Sequence, residues 1–103
     1  MSWKDTERAI AARNEAGRRN PVSGRGGQAD VEWPGVAFEV KHRRLLPRWL
    51  AKAVSQAVQA AAADGSLPVV LLHEEGRRHD NDYVIIRLKD FESLLKGRGG
   101  PTA

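Results

Sequence analysis

Pro34-Gly35 separates Ala29-Asp30-Val31-Glu32-Trp33 from Val36-Ala37-Phe38-Glu39-Val40-Lys41-His42, and no other feature restricts the fold of this chain as tightly. Proline supplies a fixed negative φ and glycine tolerates the positive φ that follows, so the pair predicts the tip of a two-residue hairpin loop. That loop pairs Trp33 with Val36 and Val31 with Phe38, and it places Asp30 opposite Glu39; a four-residue loop preserves the pairing. Residues opposite one another in an antiparallel pair share a face with Cβ atoms about 5 Å apart, and Lys41, two beyond Glu39, points the same way. Phe38 and Val40 then face a core, while Ala37, Glu39 and Lys41 face away from it. Two carboxylates so placed repel unless a cation lies between them. Mg²⁺ fits, being a hard ion held by one or two carboxylates that keeps positions for water and phosphate oxygens.

Upstream of the hairpin, residues 3–16 read as a helix with Ser2 or Asp5 as N-cap and a stop at Gly17. Its inner stripe includes Trp3, Ile10 and Ala11. Glu7 falls within that stripe, where a glutamate ordinarily snorkels to water. Residues 18–23 read as a short strand interrupted by Pro21, and Gly24-Arg25-Gly26-Gly27 as a loop whose amides can approach phosphates without matching a Walker sequence or a dinucleotide fingerprint.

Downstream, Pro47 opens a helix that runs to about Ala63. Leu46, Leu50, Ala53, Val54, Ala57 and Ala61 form its apolar side, Arg48, Lys52, Ser55 and Gln59 its polar side, and Gln56 lies on the border. The unbroken apolar run of residues 67–72 predicts a central strand buried on both faces. A long helix separates it from residues 36–41, which predicts parallel neighbours joined by a right-handed crossover. Residues 74–82 read as a charged loop and 83–88 as a strand. Asp90 would cap a last helix over 91–95, and residues 97–103 read as a disordered tail. The order α, β, β, β, α, β, β, α predicts a small α/β sandwich around a mixed sheet of four or five strands.

A chain of 103 residues is one domain, short enough that dimerisation would add useful burial. Without cysteine, disulfides and thiolate metal sites are excluded, and the three histidines lack zinc-site spacing, so a metal here would be oxygen-ligated. His73, His79, Asp80 and Asp82 read as a solvated connector, and His42 faces away from Lys41. No charge-free run approaches the length of a membrane span, and the N-terminus lacks a basic region followed by an apolar stretch, so a soluble, intracellular protein is expected. The net charge of +4 is unevenly spread. Residues 18–52 hold eight of the 17 Lys and Arg (Arg18, Arg19, Arg25, Lys41, Arg43, Arg44, Arg48 and Lys52) against Asp30, Glu32 and Glu39, an excess of five, whereas the remainder sums to −1. A polyanion approaching Asp30 and Glu39 would meet that excess.

Phosphodiester hydrolysis needs an activated water in line with the leaving oxygen and stabilisation of the charge that builds on phosphate. Asp30 and Glu39 as metal ligands, with the Val40 carbonyl and Glu7, meet both needs. Lys41 would orient or deprotonate the water or stabilise the transition state. Taken alone, Glu-x-Lys on an exposed strand is commonplace. The surroundings add to it: Arg19-Asn20-Pro21-Val22-Ser23-Gly24, then Asp30, then Phe38-Glu39-Val40-Lys41, then Ser55-Gln56-Ala57, with Glu7 on the first helix. This succession resembles the motifs of the PD-(D/E)xK nuclease superfamily, and within it the Holliday junction resolvases of archaeal and phage type, over about residues 3–95. Ala29 stands where that superfamily usually places proline.

The resemblance implies a restriction-endonuclease-like domain over residues 1–96. It implies Mg²⁺-dependent cleavage of four-way DNA junctions in recombination and repair, with Mn²⁺ able to substitute, by a homodimer making symmetric cuts. The setting would be cytoplasmic, at a nucleoid or in a phage-infected host cell. Asp30 and Glu39 would bind metal, Lys41 assist the water, Glu7 complete the acidic shell, Ser23 contact the scissile region and Gln56 support the site. Two alternatives remain: a virus-type replication-repair nuclease module acting on other DNA structures, and a non-catalytic DNA-binding protein that uses the basic residues alone. Carboxylates left unneutralised on a phosphate-binding face would weaken the latter.

Overall fold

The computed structural model describes residues 2–21 and 28–97. Three helices and five short strands follow one another as α1 (Trp3–Ala12), β1 (Arg18–Arg19), β2 (Val31–Trp33), β3 (Val36–Phe38), α2 (Arg48–Ala62), β4 (Val70–Leu72), β5 (Tyr83–Ile85) and α3 (Leu88–Leu95), with a 3₁₀ turn at His79–Asn81. The expected element order is therefore observed in a small mixed α/β chain. Two compact units meet in sequence at Leu45 and Leu46.

In the first unit, a capping box opens α1: Ser2 Oγ accepts the Asp5 N–H at 3.2 Å and Asp5 Oδ2 accepts the Ser2 N–H at 3.1 Å. The helix stops at Ala12, short of the expected 16, because Asn14 offers the backbone a competing turn. Its side-chain oxygen takes the Ala16 N–H at 2.9 Å and its carbonyl takes the Gly17 N–H at 2.8 Å. A side chain could not follow at position 17, since a Cβ there would lie 2.0 Å from the Ala11 carbonyl oxygen.

The sheet order is β1-β2-β3, antiparallel throughout, with Val31 against Phe38 and Trp33 against Val36 as the Pro34-Gly35 turn predicts. Gly35 takes φ +77°, which after a proline is the signature of a type II turn. Type II geometry splays the strands that it joins, in keeping with a ladder only three residues long. Val31 and Trp33 form the buried core, the Trp33 indole N–H donates to the Ile10 carbonyl at 3.0 Å, and the Trp33 and Phe38 rings meet edge to face at 4.7 Å. Trp3, expected on the inner stripe, is half exposed.

The second unit packs α2 on the two-stranded antiparallel sheet β4-β5. The expected mixed sheet needed a parallel ladder, and every ladder among the described residues is antiparallel. Nor is the apolar run buried on both faces: Val70 and Leu72 are half-buried, while Leu71 and its partner Val84 are each 59% exposed. Continuous apolar sequence marks a strand but does not say how many of its faces will be covered. α3 begins three residues before expectation, so Asp90 lies in its first turn, bonded by Arg87 Nε at 2.9 Å, and its carboxylate favours the positive end of the helix dipole. Within the expected tail, Gly97 closes α3 through the Leu94 carbonyl, and residues 98–103 lie outside the described residues. No helix among the described residues is long and apolar enough to cross a membrane.

Candidate functional site

The hairpin register holds from the turn back to Val31 and then changes. Asp30 donates its N–H to the Phe38 carbonyl at 3.0 Å, although Phe38 already stands opposite Val31, so two residues on one strand face one on the other, the pattern of a β-bulge. Asp30 is consequently not set squarely opposite Glu39. It is 7% exposed, and its Oδ2 accepts the Val40 N–H at 2.8 Å. The buried carboxylate is thereby fastened to the middle of Glu39-Val40-Lys41. Val40 was expected to contribute its carbonyl to a metal; its observed contact is the amide. The alternation beyond β3 is as expected, with Glu39 and Lys41 exposed about a half-buried Val40, and Lys41 Nζ lies 3.3 Å from Glu39 Oε2. His42, which follows, ties this segment to α1 through a 2.7 Å contact of its Nδ1 with the Thr6 hydroxyl.

Glu7 departs most from expectation. It does not snorkel to water. It is 3% exposed, and Arg19 Nε donates to its Oε1 at 2.8 Å. Pairing β1 with β2 in the register Arg19 to Val31 puts Arg19 on the core face, beneath α1, where Glu7 meets it. Arg19 is thus withdrawn from the expected DNA contacts into an internal ion pair. Arg18, on the opposite face, remains two-thirds exposed and pairs with Glu32 at 3.1 Å, while Asn20 holds the other Glu32 oxygen at 2.8 Å.

Arg43 and Arg44 are exposed beside Lys41 in sequence. Arg48, Lys52 and Gln56 are exposed on α2, in the second unit, so Gln56 points to solvent from its helix as a border residue can. Ser23 and Arg25, with the glycine loop, lie outside the described residues. Trp33 is core and Trp49 is 59% exposed.

The donor chemistry of the Asp30 and Glu39 carboxylates fits Mg²⁺, which takes hard oxygen ligands and keeps much of its water. Glu7 already shares one oxygen with Arg19, so a cation there would compete with that guanidinium. Glu7, Asp30 and Glu39 also do not converge as a trio: the group of three potential ligands found among the described residues is His73, His79 and Asp82, whose ligand atoms all lie within 4.8 Å of one another.

The sequence predicts only a solvated connector here, whereas the structure gathers these three side chains. Extending the β4-β5 register by one pair puts His73 across from Asp82, and the 3₁₀ turn puts His79 three residues before Asp82. His73 Nδ1 lies 2.6 Å from Asp82 Oδ1 and His79 Nδ1 3.0 Å from Oδ2. These bonds, that of His73 foremost, hold the Asp82 carboxyl below its ordinary pKa. Pairing residues 70–72 with 83–85 was the signal that would have found the cluster. Comparison with protein families, curated proteins and solved structures finds no match to this chain.

Proposed function

We propose that this chain is a Mg²⁺-dependent, structure-specific DNA endonuclease that resolves four-way junctions as a homodimer, one incision per protomer. The observation that carries the reading is the 2.8 Å bond from the Val40 N–H to Asp30 Oδ2, which ties a buried acid to an exposed Glu-x-Lys segment. A bulge at that point adds support, because bulges re-aim side chains and recur beside active sites. The element order supports the restriction-endonuclease-like fold that belongs to the same proposal.

In this reading Asp30 is the rigid ligand and Glu39 the mobile one. Bound Mg²⁺ supplies an activated water and charge stabilisation at the phosphate. Lys41, released from Glu39, offers its ammonium to the phosphate oxygens or to the attacking water. Arg18, Arg43 and Arg44 receive the DNA backbone by phosphate contact, which positions the duplex without reading its sequence. Glu7 and Arg19 act only by holding α1 to the sheet.

One observation favours non-catalytic DNA binding as a second reading. Glu7, Glu32 and Glu39 each have a basic partner and Asp30 an amide, so these carboxylates repel phosphate less than their number implies. Labelled four-way junction, linear duplex, single strand and flap, each incubated with wild type or Glu39→Gln in Mg²⁺ or EDTA, separate the readings. Symmetric junction cuts that need Mg²⁺ and vanish in the variant support resolution. Preferential cutting of linear or flap DNA points to a general nuclease, and retention of DNA without cleavage leaves the binding module.

A further inference from the structure

We propose that His73, His79 and Asp82 form a binding site for a first-row transition-metal ion of the Zn²⁺ class, separate from any Mg²⁺ held by Asp30 and Glu39. Its three ligands come from three backbone positions, each fixed by its own local structure. His73 follows β4 directly and Asp82 precedes β5 directly, so the ladder that pairs Leu72 with Tyr83 brings them face to face. His79 opens the 3₁₀ turn, in which residues three apart eclipse, and the Asp82 N–H closes that turn on the His79 carbonyl at 3.0 Å. The base of the 73–82 loop is thereby arranged before any ion arrives.

The two imidazoles present the same atom, Nδ1, to the two oxygens of one carboxylate, and their rings lie 4.4 Å apart with a 35° tilt. Asp82 itself is shielded, its side chain only 7% exposed, while His79 stands 82% exposed at the mouth. Zn²⁺ binds histidine nitrogen and carboxylate oxygen at about 2.0–2.2 Å, so tetrahedral ligands lie about 3.4 Å from one another. The observed Nδ1 to oxygen separations of 2.6 and 3.0 Å would open by about 0.8 and about 0.4 Å to reach that spacing, a shift that rotation of the exposed His79 and half-exposed His73 rings can supply. A set of two imidazoles and one carboxylate suits Zn²⁺, Ni²⁺, Co²⁺ or Cu²⁺ and disfavours Mg²⁺, which takes oxygen ligands. Three protein ligands leave a fourth position to solvent. Two of the chain's three histidines belong to this cluster and there is no cysteine, so soft ligands elsewhere compete little.

The 103-residue chain, stripped with EDTA and dialysed, is titrated with Zn²⁺ by calorimetry and with Co²⁺ by visible absorption, beside His73→Ala, His79→Ala and Glu39→Gln. One Zn²⁺ per chain is expected, with a tetrahedral-type Co²⁺ spectrum and a rise in melting temperature on binding. Loss of either histidine weakens binding by at least about tenfold, given that second-shell changes alone cost about 10–100-fold. Glu39→Gln leaves Zn²⁺ binding intact, which keeps this test independent of the nuclease reading. His79→Ala removes an exposed ring and retains the fold. Zn²⁺ binding that is absent, or equal in wild type and His79→Ala, or a Co²⁺ spectrum unchanged from the aqueous ion, overturns the proposal.

Discussion

Glu7 and Arg19 form an ion pair between α1 and β1, Nε to Oε1 at 2.8 Å, with side chains 4% and 17% exposed. Removing one partner strands the other charge in the core, which costs about 3–5 kcal/mol in buried pairs. Glu7→Gln and Arg19→Ala are therefore expected to destabilise the protein similarly, by about 3 kcal/mol, read as the shift in urea midpoint at constant m-value. Glu7→Met with Arg19→Leu recovers much of that loss, because no uncompensated charge remains. A Glu7 variant of wild-type stability would contradict this account.

Asp30 has a structural task as well as the proposed metal-binding one, and asparagine separates the two. Asp30→Asn keeps an oxygen for the Val40 N–H but turns a charge-assisted bond into a neutral one, a loss of about 1 kcal/mol. Asp30→Ala leaves the part-buried Val40 amide without its carboxylate acceptor and is expected to cost about 2–3 kcal/mol. Under the nuclease reading both abolish cleavage. Equal stability losses in the two variants would mean that the Val40 bond contributes little.

Glu39 and Lys41 behave oppositely. Their side chains are 67% and 76% exposed, and exposed pairs contribute little to stability. Glu39→Gln and Lys41→Ala are expected to unfold within about 0.5 kcal/mol of wild type, and under the nuclease reading both lose junction cleavage. A large stability loss in either would assign the pair to the fold rather than to chemistry.

Gly17 is a position where the fold tolerates no side chain, since a Cβ would press on the Ala11 carbonyl at 2.0 Å. Backbone must move to admit it, so Gly17→Ala is expected to cost at least about 1–3 kcal/mol, the range for overpacking. The helix signal of α1 should persist in circular dichroism while the urea midpoint falls. A midpoint equal to wild type would show that the α1–β1 turn relaxes freely.

What the sequence made legible was what short-range chemistry decides. Pro34-Gly35 set the turn and hence the pairs from Trp33–Val36 to Val31–Phe38, and Ser2 with Asp5 set the start of α1. Long-range partners were not legible. Glu7 looks misplaced on its helix until Arg19, twelve residues on, is carried beneath it by the β1–β2 ladder. The bulge at Asp30 has no glycine or proline to announce it, and it moved that carboxylate out of the face expected for it. His73 and Asp82 meet only because β4 pairs with β5, whereas residues 67–72 alone read as a strand seeking a parallel neighbour. That arrangement contributes to how the protein responds to acid.

The Asp82 carboxyl is held below its ordinary value of 3.8 by hydrogen bonds from His73 first and His79 second. A carboxyl lowered in the folded state contributes stability above its unfolded pKa and loses it as pH falls through the folded one. The contribution is thus complete above about pH 3.8 and disappears below it. Asp5, lowered chiefly by the Ser2 amide, and Asp64, lowered chiefly by the Ser66 hydroxyl, titrate in the same direction, so wild type alone cannot isolate the cluster. Asp82→Asn can. Urea midpoints from pH 6 to pH 2 are expected to separate wild type from the variant above about 3.8 and to converge below it, with Asp5 and Asp64 contributing equally to both. Curves that stay parallel to pH 2 would mean that the two histidines do not favour the ionised form of Asp82.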